Sequence, residues 1–365
     1  MRERVGRKGI GIIGCGGFGE FIRAAWDAMD TVHVVAVCDS DPARAPGGVE
    51  FYTDARSMLA DPRVEIVSVA TPPGSHKDLA VMAMEAGKHA LVEKPLALTE
   101  RDALRVKKAA ERTGRAAAVN FVLRYNPIVE TLRELVAAGV LGKPRRIDLR
   151  NYAMRDQVPE GHWFWDPKVS GRILLEHGVH FFDLAVWALR SRARGAFSLG
   201  VETKPGMEDR VFAAVEYEDG VVGTFWHSFT RPKPLERTTF HVAFDLGEAD
   251  VIGWIPLELR LWGWTNAQGR ARLQGLPNLA ELKTSSMAPT KTQSCDTVYE
   301  VDCEFEARVA LGAPKLEVYS ESLRAIMSDL VRAIDDPSHK MRVTLDDGIE
   351  AVRTAEMATR FAHPE

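Results

Sequence analysis

The stretch GIIGCGGFGEF, residues 11–21, decides the fold. Gly14, Gly16 and Gly19 fall in the register G-x-G-x-x-G, directly after the apolar run GIGIIG and at the opening of an amphipathic helix. The spacing alone is a weak signal, but a strand before it and a helix after it are the context in which it has a mechanism. Gly14 permits a tight turn, Gly16 lets the backbone approach a pyrophosphate, and Gly19 lets helix and strand pack closely. The helix N-terminus adds N–H donors and a positive dipole. Gly17 and Phe18 complete the loop. Asp39 ends the next apolar run about twenty residues on, where a carboxylate accepts hydrogen bonds from the adenosine ribose and repels a 2′-phosphate. NAD is therefore favoured over NADP, although Asp41 competes for the role and Arg44 could help a phosphate.

Outward from this loop, to about residue 122, the runs VHVVAVCD, VEIVSVA, HALVE and AAAVNFV alternate with helical stretches. That rhythm predicts a parallel, doubly wound sheet whose strands are apolar on both faces. After Arg124 the rhythm changes. A helix, IVETLRELVAAGV, ends at LGKP, and FAAVEYEDGVVGTFWHSF predicts an antiparallel hairpin turning at Asp219-Gly220. The polar, turn-rich residues 265–298 predict a surface loop, and two helices are expected near 318–335 and 345–361. The expected fold class is α/β followed by α+β, with a dinucleotide-binding domain over residues 1–123 and a second domain over 124–365. A chain of 365 residues has room for two such domains.

Composition narrows the function. Apolar residues make up 45% of the chain and charged residues 27%, with a net charge of −4 and no long run of either sign. This leaves no electrostatic footprint for nucleic acid or an anionic membrane, and no stretch approaches the roughly 20 apolar residues of a membrane span. Glycines interrupt the apolar run after the basic N-terminus, which argues against a signal peptide. The four cysteines, Cys15, Cys38, Cys295 and Cys303, are scattered and form no CxxC pair, so neither a disulfide scaffold nor zinc is expected. A reducing cytoplasm and a small-molecule partner fit best.

ATPPGSH (70–76) and ALVEKPLA (90–97) lie at strand ends on the carboxyl edge of the predicted sheet, where doubly wound folds bind ligands. Lys94, backed by Pro95, is there suited to general acid/base chemistry. In LLEHGVH (174–180), Glu176 and His180 are four apart and would share one face of a helix. Zincin helices carry histidines four apart with the acid between them, whereas His177 and His180 are three apart with the acid before both, so no metal is expected. His162 and His227 are the remaining histidines that could converge on such a site, while His177 reads as a packed histidine.

The ordered set GCGGFG, AVCD, ATPPGSH, GKHALVEKPLA and GxxxxEHGVH resembles the Gfo/Idh/MocA family of glucose-fructose oxidoreductase and inositol dehydrogenase. The resemblance spans nearly the whole chain and is densest in residues 9–127 and 170–187. It implies a Rossmann domain followed by a domain whose open, mostly antiparallel sheet forms a homodimer or homotetramer interface. It also implies that Lys94 touches nicotinamide ribose and substrate hydroxyl, and that His180 is the catalytic histidine, with Glu176 beside it. Thr71 and Pro72 resemble the nicotinamide-side loop, and His76 and Glu93 complete the expected cofactor set. Arg124 in LRYNP, Asn151 and Trp165 in HWFWDP correspond to segments that line the sugar pocket. The expected activity is NAD-dependent hydride transfer with a sugar, inositol or related polyol. A dinucleotide sensor without catalysis and a lyase-like enzyme with retained NAD are the alternatives. The chain departs from the pattern at Glu176, where the family carries aspartate, and at SGR (170–172), where it carries glycines; both bear on the substrate more than on hydride transfer.

Overall fold

The computed structural model describes residues 6–156 and 158–362, so the first five residues of the basic N-terminus lie outside the described residues. The chain forms two compact units. The first comprises residues up to Val122, Gly161–His180 and Tyr319–Glu356; the second comprises Leu123–Glu160, Phe181–Val318 and the chain from Met357 onward. The chain thus passes between units several times, where the sequence reading draws a single cut after residue 123.

In the first unit, β1 (Lys8–Ile13), β2 (Val32–Cys38), β3 (Glu50–Tyr52), β4 (Ile66–Val69), β5 (His89–Val92) and β6 (Ala117–Val119) form one sheet in the order β3-β2-β1-β4-β5-β6. Every pairing is parallel. The crossovers are α1 (Gly17–Asp27), α2 (Ala55–Leu59), α3 (His76–Glu85) and α4 (Glu100–Thr113). All four residues of β4 are buried, as expected of strands covered on both faces. The three-residue β3 is absent from the sequence reading, being too short to show a period. The strand order reverses between β1 and β4, and this switch point is where such sheets bind ligands.

In the second unit, α5 (Pro127–Ala137) precedes β7 (Pro144–Met154). A short α6 (Pro167–Ser170) belongs to the first unit, and α7 (Val179–Leu189) follows. Then come β8 (Ala193–Lys204), β9 (Met207–Tyr217), β10 (Val222–Arg231), β11 (Arg237–Phe244), β12 (Gly247–Ile252), β13 (Glu258–Thr265), α8 (Ala267–Gln274), β14 (Leu279–Ser294) and β15 (Thr297–Ala310). The nine strands make one sheet, antiparallel throughout except where β10 lies parallel to β7. Phe182 of α7 packs edge-on against Phe225 of β10, both buried, with ring centroids 4.9 Å apart. Two helices close the chain, α9 (Lys315–Asp335) and α10 (Leu345–Ala362), where the sequence places them.

The expected loop over 265–298 is corrected: it forms α8 and β14. Because β14 is an edge strand, its ladder with β15 uses backbone groups while most of its side chains face solvent, so no apolar alternation marks it. Pro289 falls in the register irregularity between Ser286 and Thr290, where no ladder donor is needed. Among the described residues, no helix is long and apolar enough to cross a membrane.

The cysteines give a direct check of this packing. Burial pushes the thiols of Cys15 and Cys38 up to about 11, Cys303 is buried, and Cys295 is exposed. Because the thiolate is the reactive form, native protein titrated with a thiol reagent at pH 8 should modify Cys295 quickly and the other three only on unfolding. Fast labelling of Cys15 or Cys38, mapped by mass spectrometry, would contradict the packing around the glycine loop.

Candidate active site

The first unit gathers chemistry at the carboxyl ends of its strands. The glycine loop follows β1, Asp39 follows β2, Ala70–His76 follows β4, Glu93–Pro95 follows β5 and Asn120 follows β6. Gly14 has φ +106°, and a Cβ there would stand 2.5 Å from the Ala70 carbonyl oxygen. At Gly19 a Cβ would meet the Gly14 carbonyl oxygen at 2.0 Å. Above Gly17 there is open space, and at Gly16 the nearest atom to an added Cβ is Arg44 Nη1 at 3.9 Å. Gly16 supplies no side-chain cap to α1. The loop is therefore an open cradle at a helix N-terminus, which fits a pyrophosphate. The side chain of Phe18 packs away into a cluster with Phe21 and Tyr319, so its part in the loop falls to its backbone.

Asp39 accepts from the Cys15 N–H at 2.8 Å and the Asp41 N–H at 3.0 Å, with Arg44 Nη1 at 3.4 Å. Burial raises its carboxyl, but the two N–H groups and Arg44 outweigh that and hold it below the usual carboxylate range. An ionised acid at this strand end fits a ribose diol. Asp41 instead caps the next turn through the Ala43 N–H.

The helix expected from LLEHGVH is interrupted. Leu174–Gly178 forms a π-turn, in which i→i−5 bonding replaces the regular ladder, and α7 continues from it. Gly171 and Arg172, just before it, both have left-handed φ, +75° and +73°. Glycine adopts this conformation without penalty, whereas Arg172 bears a strain on the order of 1 kcal/mol.

Inside the π-turn, Glu176 meets Lys94. Lys94 Nζ donates to the Glu176 backbone oxygen at 2.6 Å and to its Oε1 at 2.7 Å, and both side chains are 13% exposed. His180 is buried, and its ring meets that of His177 edge-on with centroids 5.9 Å apart. Burial, reinforced by the charge of Lys94, pushes His177 down to about 3, so it is a neutral imidazole at physiological pH. Two further groups frame the lysine. Glu93 is buried and accepts from Asn120 Nδ2. Burial pushes its carboxyl up to about 7, against the pull of Asn120 and Lys94. His76 is fully buried, and burial pushes its ring down while its contacts with the Pro95 and Thr71 carbonyls oppose that.

Lys94, Glu176, His180, Thr71, Pro72, His76 and Glu93 thus share the first unit with the glycine loop. Trp165 belongs to it as well, in a short turn where Phe164 meets it edge-on at 4.9 Å. His162 caps that turn, accepting from the Phe164 N–H. Arg124 and Asn151 are in the second unit. Arg124 is buried and pairs bidentately with Asp183 at 2.6 and 3.0 Å. Asn151 is buried in β7 between His227 of β10 and Thr238 of β11; its Nδ2 donates to Thr238 Oγ1 at 2.9 Å. Its buried Oδ1 meets no hydrogen-bond donor among the described residues. Among the described residues, no group of three or more His, Cys, Asp or Glu side chains could hold a metal ion. Asn120 and Tyr319 were not singled out from sequence. Asn120 breaks an apolar run at a strand end, which is a usable signal; Tyr319 reaches Phe18 across 301 positions of chain, and no local pattern marks that contact.

Residues 8–121 match the oxidoreductase family with an NAD-binding Rossmann fold, and residues 129–249 match the GFO/IDH/MocA C-terminal domain. The chain belongs to the Gfo/Idh/MocA oxidoreductase family. Inositol 2-dehydrogenase 2 of Saccharopolyspora erythraea is 30% identical over 228 residues, covering 58% of this chain and 64% of that protein. D-apiose dehydrogenase of Paraburkholderia graminis is 30% identical over 223 residues, 58% of this chain and 57% of that protein. The matched region therefore spans about six-tenths of these relatives. The solved structure of GenD2 from gentamicin A biosynthesis, in complex with NAD, superposes with a TM-score of 0.76 at 24% identity, over 98% of this chain and 95% of that one.

Glu93 supplies a pH test. Its carboxyl, at 4.5 in an unfolded chain and about 7 here, keeps its proton longer in the native state. The native state then binds more protons between these values, and stability falls as pH rises through them. Glu93→Gln removes this slope, so its stability relative to wild type in urea should improve by about 2 kcal/mol between pH 5 and 7.5. A difference that does not change with pH would contradict the buried, proton-holding carboxyl.

Proposed function

We propose that this member of the Gfo/Idh/MocA family is an NAD-dependent oxidoreductase that moves a hydride between nicotinamide and a secondary alcohol or ketone of a sugar, inositol or related polyol. The observation that carries the reading is Lys94, held at the end of β5 by the backbone carbonyl and Oε1 of Glu176 within the π-turn that leads to His180. When bound, NAD accepts the hydride in oxidation and returns it in reduction. Gly14, Gly16, Gly17, Phe18 and Gly19 would hold its pyrophosphate, Asp39 the adenosine ribose, and Thr71, Pro72 and Glu93 the nicotinamide side.

With two N–H groups committed to Glu176, Lys94 turns its remaining donor to the substrate oxygen and stabilises negative charge developing there. His180 would take the hydroxyl proton, and Glu176 orients Lys94. Trp165, in the same unit as Lys94 and His180, would contact the polyol. The names of the curated relatives support polyol substrates, and the lysine–glutamate pair disfavours a non-catalytic sensor, which has no use for it.

The same reading extends to assembly and compartment. Phe197, Leu199 and Val201 alternate along β8 and are 46%, 64% and 40% exposed, an apolar row that a second copy of the open sheet would cover in a homodimer or homotetramer. Four free cysteines fit a reducing cytoplasm.

Fluorescence titration should show NADH binding in preference to NADPH. A panel of inositols, aldoses and ketoses, followed at the reduced-nicotinamide absorbance, should include a substrate. Lys94→Ala should lower its turnover about 10²–10⁴-fold while NADH affinity stays within severalfold. Turnover that survives the lysine change, or a cofactor that stays bound and unreduced throughout product formation, would move the assignment to the lyase-like reaction.

A further inference from the structure

The turn after β2 carries three charged side chains, Asp39, Asp41 and Arg44, of which the reading above uses only the first. Arg44 closes a single tight turn, Pro42–Arg44, and its side chain is 53% exposed. Its Nη1 lies 3.4 Å from Asp39 Oδ2, and its Nε lies 3.6 Å from Asp41 Oδ2. Nη1 is also the atom nearest to the place of an added Cβ on Gly16, at 3.9 Å. The guanidinium therefore stands between two carboxylates at the rim of the glycine loop, all within the first unit.

Neither carboxylate depends on it. Asp39 accepts an N–H on each oxygen, from Cys15 and from Asp41, and Asp41 gives its other oxygen to the Ala43 N–H. Both guanidinium contacts are longer than the roughly 2.7–2.9 Å of a well-formed charge-assisted bond. Exposed pairs of this kind hold weakly. Nη2 enters no hydrogen bond or ion pair among the described residues, so one edge of the fork is open. A planar fork with an open edge suits the oxygens of a phosphate. Two carboxylates against one guanidinium nevertheless leave this cluster negative, and a phosphate dianion would meet that charge.

We propose that Arg44 is a specificity-determining residue, a receptor for a 2′-phosphate on the adenosine ribose that Asp39 and Asp41 together hold out of use. The acid pair, not Asp39 alone, then sets the preference for NAD. The inference rests on the placement of the adenosine ribose at Asp39, and not on hydride transfer or on any polyol.

Asp39 touches the ribose in that placement, so replacing it would disturb both cofactors at once. Asp41 is the informative position. Asp41→Asn keeps an oxygen for the Ala43 N–H and removes one negative charge from beside the guanidinium. The readout is the ratio of the NADH and NADPH dissociation constants in fluorescence titration. Asp41→Asn should move this ratio about tenfold towards NADPH, the size expected when one charge is removed a few ångströms from another near the surface. Asp41→Asn/Arg44→Gln should lose that gain and favour NADH at least as strongly as the wild type. Both positions lie on an exposed turn, and NADH binding by each variant checks that the glycine loop is intact. No substrate enters these titrations, so failure of every polyol would count against the proposed function and leave this test standing. A ratio within about twofold of wild type in Asp41→Asn would overturn the proposal, because Asp39 would then discriminate alone. So would a double variant that keeps the gain, because relief of repulsion would then need no guanidinium receptor.

Discussion

An ammonium group shared between the carboxylate and the backbone carbonyl of one residue is the constraint around which this site is built. Lys94 lies at the end of a parallel strand, and Glu176 lies 82 residues later in a helix that has lost its regular register. A carbonyl inside an uninterrupted α-helix is already taken by the N–H four residues on. The π-turn carries i→i−5 bonding instead, and the Glu176 carbonyl within it accepts from the lysine. With both side chains largely out of water, removing one partner strands the other, a loss on the order of 3–5 kcal/mol. The pair therefore holds the strand end and the turn together.

The groups around the pair are kept uncharged or are fully engaged, which leaves the lysine as the dominant local field. Burial neutralises His177 and holds a proton on Glu93 until about pH 7. His76 is a buried ring whose pKa burial lowers, with a carbonyl oxygen near each nitrogen, and Asn120 donates to Glu93. A preorganised donor acts most strongly where competing charges and water are excluded, and the polar residues here satisfy each other in a way that produces that condition.

Much of this was legible in sequence because the chemistry is local. Gly14 and Gly19 are glycines because a Cβ at either would run into backbone, and Asp39 is an acid at a strand end. Lys94 stands out through its strand and the following proline. The reading failed where structure is set by distant partners. Edge strand β14 looks like loop because backbone pairing with β15, not side-chain alternation, makes it a strand. The π-turn cannot be read from LLEHGVH, since helical spacing assumes the regular register that the lysine helps to replace. Arg124, expected at the substrate, also pairs with Asp183, 59 residues on in α7, and no local pattern marks that partner. The SGR departure has a local meaning visible only in the backbone: Arg172 occupies a left-handed conformation in which glycine is at ease.

The central claim is that Lys94 and Glu176 act as one unit in hydride transfer. A double-mutant cycle on kcat/KM with Lys94→Met, Glu176→Gln and the combined variant tests it most directly, once a substrate is in hand. Groups that work as a unit give single losses nearly as large as the double loss. The account predicts this non-additivity, with the double variant falling little below the worse single. Losses that multiply, as they do for independent sites, would show that the contact between the two residues holds the fold without taking part in the reaction.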